Sequence, residues 1–250
     1  MEYIGDASLW RPLFPDDLMP QILDLVVDTW TRFCRPKSTE KETWISEQFC
    51  RALRASKLSK KLPFHISLEY PALGSIDSGF TLIQPICQEE NASEFGDIET
   101  HWQEDKEKEK GRIDIVFSHG YREDVYFSLE CKRLNVASNS KSKSLAGEYV
   151  TQGLKRYAEE KYAKGLDKGG MIGYVMDGNV HRAIASVDGK VREHRISLRI
   201  PLAEDGLRDS SLQPVLNNVR ETRHVFDSGQ FVVHHVFLAW PRSLCLAAKC

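Results

Sequence analysis

The chain lacks the segments that mark membrane-spanning and secreted proteins. No apolar run approaches the roughly 18 to 20 residues that a membrane-spanning helix needs. The first residues, MEYIGDASLWRPLF, include acidic side chains and have no basic stretch followed by an apolar core, so they do not fit a signal peptide. We therefore expect no membrane partner and a cytoplasmic location.

Metal-binding patterns of cysteine and histidine are also missing. The six cysteines form no CxxC pair, and no Cys/His group has zinc-finger spacing, so we expect reduced and mostly buried thiols. Cys250, the last residue, is expected to be a free surface thiol. The eight histidines show no ligand spacing either, and the adjacent His234 and His235 would point to opposite faces of a strand. We interpret all the histidines as structural.

An excess of positive charge is absent, which argues against a general nucleic-acid coat protein. The formal net charge is −2 and the isoelectric point is near 6.5. The charge is uneven, however: residues 89–110 carry a net charge of −6, and residues 132–168 carry a net charge of +5. A basic segment in a neutral protein can bind phosphates locally, but both segments could equally be solvated surfaces.

The hydrophobic pattern predicts one α/β domain with a mixed central sheet flanked by helices. We predict helices over about 20–33, 39–58, 148–163 and 179–192, with Ser38 or Thr39 capping the second. Strands are predicted over 64–70, 80–86, 112–117, 125–132, 171–176, 194–201 and 231–240. Residues 88–110 are expected to be a surface loop or exposed helix, and 135–147 a flexible loop. Residues 1–37 form an N-terminal helical extension to this single domain of residues 1–250, and 195–250 form C-terminal strands of undetermined role.

A pair of opposite charges on an apolar strand is the first sign of chemistry. Glu130 and Lys132 are two residues apart, so on a strand they point to the same face. The other Glu-x-Lys or Asp-x-Lys patterns lie in the charged segment, late in a helix or in a turn. Asp114, on the preceding predicted strand, can lie beside Glu130 across a hairpin. The alternative is an ordinary salt bridge between Glu130 and Lys132 at a sheet edge.

Two neighbouring carboxylates suggest a divalent cation. Such groups repel each other unless a cation joins them, and Mg²⁺ accepts carboxylate oxygens together with water and phosphate oxygens. The ion would activate a water and offset charge on a phosphate under attack. Lys132 would orient that water, help to deprotonate it, or stabilise charge that develops on the phosphate.

The spacing of these residues resembles a known nuclease motif. Gly111-Arg112-Ile113-Asp114, followed by Glu130-Cys131-Lys132, is similar to the motif of the PD-(D/E)XK, or restriction-endonuclease-like, superfamily, with Ile113 where that motif has proline. The resemblance extends from the helix at about residue 40 to the strand at about residue 176. It implies a restriction-endonuclease-like core, an Mg²⁺ ion that Mn²⁺ can replace, and metal ligands that include Asp114, Glu130 and the backbone carbonyl of Cys131.

The resemblance also implies an acidic residue on the helix before the sheet. Glu42 and Glu47 are the candidates. Glu42 lies in line with the apolar stripe that contains Ile45, whereas Glu47 lies about 200° around the helix and should face solvent. We therefore prefer Glu42 as a metal-site residue, although a purely capping role for Glu42 is an equal alternative.

On the helix after the lysine strand, the resemblance implies a polar residue, for which Gln152 is the candidate, with a surface glutamine as the alternative. The basic residues of the same region are candidates for contacts with the phosphate backbone; they are Lys141, Lys143, Lys155 and Arg156.

Three functions remain open from the sequence. The first is a metal-dependent deoxyribonuclease, for which the resemblance implies a role in bacterial restriction or anti-phage defence, as a homodimer or within a larger defence complex. The second is a catalytically silent nucleic-acid-binding or scaffold protein with the same fold. The third is an unrelated α/β interaction domain with a coincidental ion network. Metal binding separates the first from the third.

Overall fold

A computed structural model describes residues 14–33, 41–71, 112–120, 124–138 and 141–240. The helices are α1 (Leu18–Arg32), α2 (Glu42–Ala55), α3 (residues 146–158) and α4 (Val180–Glu193), with short 3₁₀ turns at Ser59–Lys61 and Leu202–Glu204. The strands are β1 (Phe64–Pro71), β2 (Arg112–His119), β3 (Tyr126–Leu134), β4 (Val136–Ser138), β5 (Lys141–Lys143), β6 (Lys168–Val175), β7 (Arg208–Asp209), β8 (Val219–Phe226) and β9 (Gly229–Ala239).

Seven of these strands form one mixed sheet in the order β1-β2-β3-β6-β9-β8-β7. The central strands β3, β6 and β9 run parallel, and the remaining neighbours are antiparallel. This arrangement with flanking helices confirms the predicted α/β class. None of the helices in the described part of the chain is both long and apolar enough to cross a bilayer.

Helices α1 and α2 cover one face of the sheet. Their buried apolar side chains pack on every second residue of β2 and β3, as period-two alternation requires. Phe49 and Trp30 meet edge to face, with ring centroids 5.2 Å apart, and Trp30 stacks on Tyr174 of β6. Helix α1, which precedes the predicted nuclease motif, is therefore part of the core, because it packs on the sheet directly.

Helix α3 covers the opposite face together with α4. It is continuous but irregular: Ala146–Glu148 and Lys155–Ala158 are α-helical, and the six residues Tyr149–Leu154 between them are π-helical. Gly153 allows the close approach of α3 to the sheet, since an added Cβ would collide with the Met171 side chain and lie 3.5 Å from Lys132 Cγ. The π-helical stretch thus runs directly over the face that carries Lys132.

The prediction of a strand over 194–201 was wrong. Residues 195–199 form turns in which Leu198 N donates to His194 O and Arg199 N to Ile196 O, and Arg199 has a left-handed φ of 56°. The alternating apolar residues of this segment do not share one buried face, because Leu198 is buried while Ile196 is 84% exposed.

Further strands were not predicted, among them the short edge strand β7. The segment 135–147, expected to be a flexible loop, contains the β4–β5 hairpin, and β8 extends the sheet at its C-terminal side. The described part of the C-terminal segment therefore completes the main sheet. The strand predicted at 80–86, the charged segment 88–110, the proposed caps Ser38 and Thr39, and Cys250 lie outside the described residues.

Candidate active site

The candidate site lies where β2 and β3 move apart. The β2–β3 ladder ends at the pair Ile115 and Leu129, although β2 remains paired with β1 as far as Arg112 and β3 remains paired with β6 as far as Leu134. Asp114 and Glu130 are the next residues on the two strands. Loss of the ladder leaves room for their side chains between and above the strands.

Asp114 fills part of this opening. Its Oδ2 accepts a hydrogen bond from the backbone N–H of Cys131 at 2.7 Å, which holds the carboxylate against β3. Burial, and after it the neighbouring Glu130 carboxylate, raise the pKa of Asp114 to about 7, against the opposing effects of Lys132 and the Cys131 N–H. Asp114 is therefore a carboxyl group that changes charge near neutral pH.

Glu130 is the most buried carboxylate of the site. It is only 1% exposed, and its Oε1 accepts from Lys132 Nζ at 2.7 Å and from Arg156 Nη1 at 3.3 Å. Its other oxygen, Oε2, is buried and accepts no hydrogen bond from the described residues. Burial raises the pKa of Glu130, and the two cations partly offset that effect. One oxygen is thus doubly engaged while the other has no partner.

Lys132 joins the carboxylates. Its Nζ donates to Glu130 Oε1, to Glu42 Oε1 at 3.1 Å and to the carbonyl oxygen of Cys131 at 2.9 Å. Burial alone would lower the pKa of Lys132, but the carboxylates of Glu130, Glu42 and Asp114 outweigh burial and hold the pKa above its ordinary value. Lys132 is a stable cation here, which makes it a poor general base.

Glu42 reaches the site from the first turn of α2. One oxygen accepts from Lys132, and the other accepts from the backbone N–H of Arg133 at 2.7 Å. Glu47 instead pairs with Arg51 on the outer side of the helix. The structure therefore brings Glu42, and not Glu47, into contact with Lys132 of the predicted site. Lys41 is the N-cap of helix α2 and Glu42 is its first residue, so Glu42 does not stand at the third helical position that a capping box uses.

Arg156 is a member of the site that the sequence argument placed only among general phosphate contacts. Its Nη1 donates to Glu130 Oε1 and to the Tyr162 hydroxyl, and its guanidinium lies over the Tyr162 ring at 5.4 Å. Ordinary helical spacing from the buried Tyr149 does not predict this position, because the six residues Tyr149–Leu154 are π-helical.

The other candidates are not brought to the carboxylates. The side chain of Gln152 is exposed on the π-helical stretch and forms no hydrogen bond with the described residues. Lys143 pairs with Glu148 at 3.1 Å, and Lys155 pairs with Glu159 at 3.5 Å. The side chain of Lys141 lies outside the described part of the chain.

A hard divalent cation fits the oxygens that remain free. A buried carboxylate oxygen without a partner is costly, and Glu130 Oε2 is such an atom. Among the described residues, the Asp114 carboxylate accepts only at Oδ2, which leaves Oδ1 available. The described residues contain no group of three or more His, Cys, Asp or Glu side chains arranged to hold a metal. Mg²⁺ does not require such a cage, because it commonly uses one or two carboxylates and keeps several waters.

The Cys131 carbonyl, the third expected metal ligand, accepts a hydrogen bond from Lys132 Nζ. A carbonyl oxygen has two lone pairs, so this contact leaves one for a cation.

Comparison of the chain with protein-family models, with curated proteins and with solved structures finds no match. Function is therefore inferred from the chemistry of the site.

Proposed function

We propose that this chain is a metal-dependent nuclease that hydrolyses phosphodiester bonds in DNA, and that it belongs to the PD-(D/E)XK superfamily. The observation that carries this proposal is the buried Glu130 carboxylate beside Asp114, with one oxygen on Lys132 and the other without a partner among the described residues. A buried ion pair must be desolvated, and a well-packed apolar pair in the same place often gives an equal or more stable fold. Stability alone therefore gives little reason for such a pair.

The order of elements around the site supports the proposal. Helix α2 supplies Glu42, β2 supplies Asp114, β3 supplies Glu130 and Lys132, and α3 and β6 follow. This is the order in which the sequence resemblance expects an acidic helix, the two motif strands, a further helix and a strand.

The residues divide the chemistry between them. Asp114, Glu130 and the Cys131 carbonyl would hold the cation, and a bound Mg²⁺ would supply an activated water and offset phosphate charge. Lys132 keeps its proton and fixes the two carboxylates Glu130 and Glu42 relative to each other. Because Lys132 does not readily give up that proton, its expected part is positioning and charge compensation rather than proton abstraction.

A catalytically silent nucleic-acid-binding protein is the second candidate. The observation in its favour is that Lys132 Nζ already occupies Glu130 Oε1 and the Cys131 carbonyl, and that no three-ligand metal group occurs among the described residues. In that case the Glu130–Lys132 pair would be a structural element of the fold. Metal binding and cleavage distinguish the two candidates.

The test is a cleavage assay with a matched pair of controls. Linear, circular and single-stranded DNA, and RNA, are incubated with Mg²⁺ or Mn²⁺ and with the native chain, Glu130→Gln or Lys132→Ala. The controls are Glu193→Gln and Lys190→Ala, which remove the same groups from a partly exposed ion pair of 2.6 Å on α4. We expect the site variants to lose at least about 100-fold in cleavage rate, and the controls to retain it.

Each outcome bears on the proposal. Cleavage lost in both site variants but retained in both controls supports the nuclease and its site together. Cleavage that survives in both site variants removes the site from consideration. A native chain that binds DNA without cutting it under either metal supports the silent protein instead.

A further inference from the structure

Arg156 presents an unused hydrogen-bonding edge beside Glu130. A guanidinium carries five N–H donors in a plane. Nη1 of Arg156 donates to Glu130 and Tyr162, whereas Nε and Nη2 donate to none of the described residues. With respect to the described residues the Arg156 side chain is 36% exposed, so part of it remains accessible to a ligand.

Lys132 has no comparable capacity. An ammonium has three donors, and Lys132 Nζ has three acceptors within 3.1 Å: Glu42 Oε1, Glu130 Oε1 and the Cys131 carbonyl. Its side chain is also less exposed, at 14%. Of the two cations on Glu130, only Arg156 can therefore bind an incoming group without first giving up its existing contacts.

The free edge has the shape that two phosphate oxygens need. The Nε and Nη2 atoms of a guanidinium form a fork that binds a phosphate through two parallel hydrogen bonds, which a lysine cannot reproduce. The Tyr162 ring and hydroxyl hold the plane of the Arg156 guanidinium, which reduces the conformational entropy that binding would cost. A rigid fork beside two carboxylates suits a phosphodiester better than a freely rotating surface arginine does.

We propose that Arg156 is the phosphate-binding residue of the candidate site, and that its Nε and Nη2 edge holds the non-bridging oxygens of the phosphodiester next to Glu130 and Asp114. This inference rests on the proposed nuclease function, which it deepens by naming the residue that contacts the substrate. It differs from a general electrostatic role, because only the fork of an arginine makes both contacts at once.

The experiment measures DNA binding as a function of salt. A short labelled duplex is titrated with the native chain, Arg156→Ala or Arg156→Lys in Ca²⁺ over a series of KCl concentrations, followed by fluorescence anisotropy. Loss of one phosphate contact should weaken binding in Arg156→Ala and reduce the slope of log K against log[salt] by about 0.9. Arg156→Lys should keep the slope but lower the single-turnover cleavage rate in Mg²⁺ by about 10-fold or more, because it lacks the fork.

Lys161→Ala is the matched control. It removes one positive charge from a 60% exposed side chain close to the end of α3, where Lys161 pairs with Glu159 at 2.8 Å. We expect this variant to bind DNA with the native slope. If Arg156→Ala has a lower melting temperature than the native chain, Arg156→Gln, which keeps a hydrogen-bonding side chain, provides the same comparison.

An Arg156→Ala variant that binds DNA with native affinity and slope, yet cleaves slowly, would overturn the proposal, since Arg156 would then only position Glu130. A native chain that binds DNA but cuts no substrate rejects the nuclease function, while the slope still decides whether Arg156 binds phosphate. A native chain that binds no DNA at any salt concentration rejects both.

Discussion

The Asp114 carboxylate accepts the backbone N–H of Cys131 at 2.7 Å, two residues beyond the last β2–β3 ladder pair on β3. A side chain thus continues the cross-strand connection where the two backbones separate. This contact places Asp114 beside Glu130 without requiring the strands to remain paired. It also buries the carboxyl group, which is the main reason that the pKa of Asp114 lies near 7.

Metal affinity should therefore depend on pH through Asp114. Its protonated form competes with a cation, so affinity should rise as the pH rises and level off above the pKa of about 7. Below pH 7 we expect roughly a tenfold gain per pH unit for each proton released. Isothermal titration calorimetry with Mn²⁺ between pH 5.5 and 8.5, in buffers of different ionisation enthalpy, measures both the affinity and the protons released. Affinity that is flat over that interval would contradict the assignment.

Asp114→Asn should stabilise the metal-free protein, although it should weaken metal binding. A folded-state pKa raised above the ordinary value of 3.8 means that stability is present below that value and is lost as the pH rises to about 7. The Asn variant no longer pays for an ionised buried carboxylate, so it should melt above the native chain at pH 8 and by a smaller margin at pH 5. The melting temperature in EDTA is the measurement, and an equal difference at both pH values would rule out this explanation.

Glu42 should matter to catalysis while Glu47, on the same helix, should not. Glu42→Gln keeps the shape but removes the charge that Lys132 and the Arg133 N–H share, so we expect about a 10-fold to 100-fold loss in metal affinity or cleavage rate. Glu47→Gln breaks only an outer ion pair with Arg51 and should retain native values. Equal losses in the two variants would show that Glu42 acts through helix α2 and not through the site.

A buried chain of hydrogen bonds anchors the first π-helical residue of α3. His224 Nδ1 lies 2.7 Å from the Leu198 carbonyl and must carry a proton, so His224 Nε2 accepts from the Thr222 hydroxyl at 2.8 Å. That hydroxyl then accepts from His235 Nε2 at 2.9 Å, and His235 Nδ1 accepts from the Tyr149 hydroxyl at 2.9 Å. Each donor has one acceptor, and both histidines are neutral.

Thr222→Val should break this chain at its centre. The valine leaves His224 Nε2 and His235 Nε2 buried without partners, which should lower the free energy of unfolding by about 1–3 kcal/mol. Thr151→Val is the control, because the Thr151 hydroxyl is exposed and donates only to the Gly147 carbonyl of its own helix. Urea unfolding at pH 7.5 measures both. A similar small change in the two variants would mean that the chain contributes little.

The buried histidines His224 and His234 should make the fold sensitive to acid. Burial lowers the pKa of His224 and of His234 to about 4, whereas the unfolded chain takes up these protons near pH 6.5. Their contribution is therefore present above about pH 6.5 and is lost as the pH falls towards 4, by about 1.4 kcal/mol per pH unit for each residue. The contribution of Asp114 to stability is instead lost as the pH rises. The effect of the histidines must therefore be measured by comparing variants with the native chain.

The measurement is the free energy of unfolding between pH 4.5 and 7.5 for the native chain, His224→Gln and His181→Gln. Removal of His224 should make the pH dependence shallower, because one titrating group is lost. His181 is exposed on α4, and its removal should leave the pH dependence as it is. An unchanged slope in His224→Gln would show that the imidazole is not held neutral by the fold.

Local patterns carried much of the prediction. Period-two alternation is a property of the extended chain, so it placed Glu130 and Lys132 on one face and His234 and His235 on opposite faces, where they contact Phe127 and Tyr149 respectively. Helical periodicity chose Glu42 over Glu47 for the same reason, since the angle between two side chains on one helix depends only on their spacing.

Two of the elements that the sequence did not reveal have buried polar residues or irregular helical geometry. Strand β8 was missed because its buried residues include Glu221, which is paired with Arg223 at 2.9 Å and accepts from Ser211, so no apolar alternation marks it. The π-helical stretch of α3 was also not anticipated, because its register depends on contacts with β6 and β9 and not on helix propensity alone.

The sequence by itself determined the two motif strands, the faces of their charged residues and the chemistry those residues suggest, because these depend on neighbours within a few positions. Only the tertiary structure decided that β2 and β3 separate at Asp114, that Glu42 bonds to Lys132 across 90 positions, and that Arg156 joins Glu130. These contacts arise when helices pack on opposite faces of one sheet, and the free energy that selects them comes from burial of the whole core rather than from any local segment.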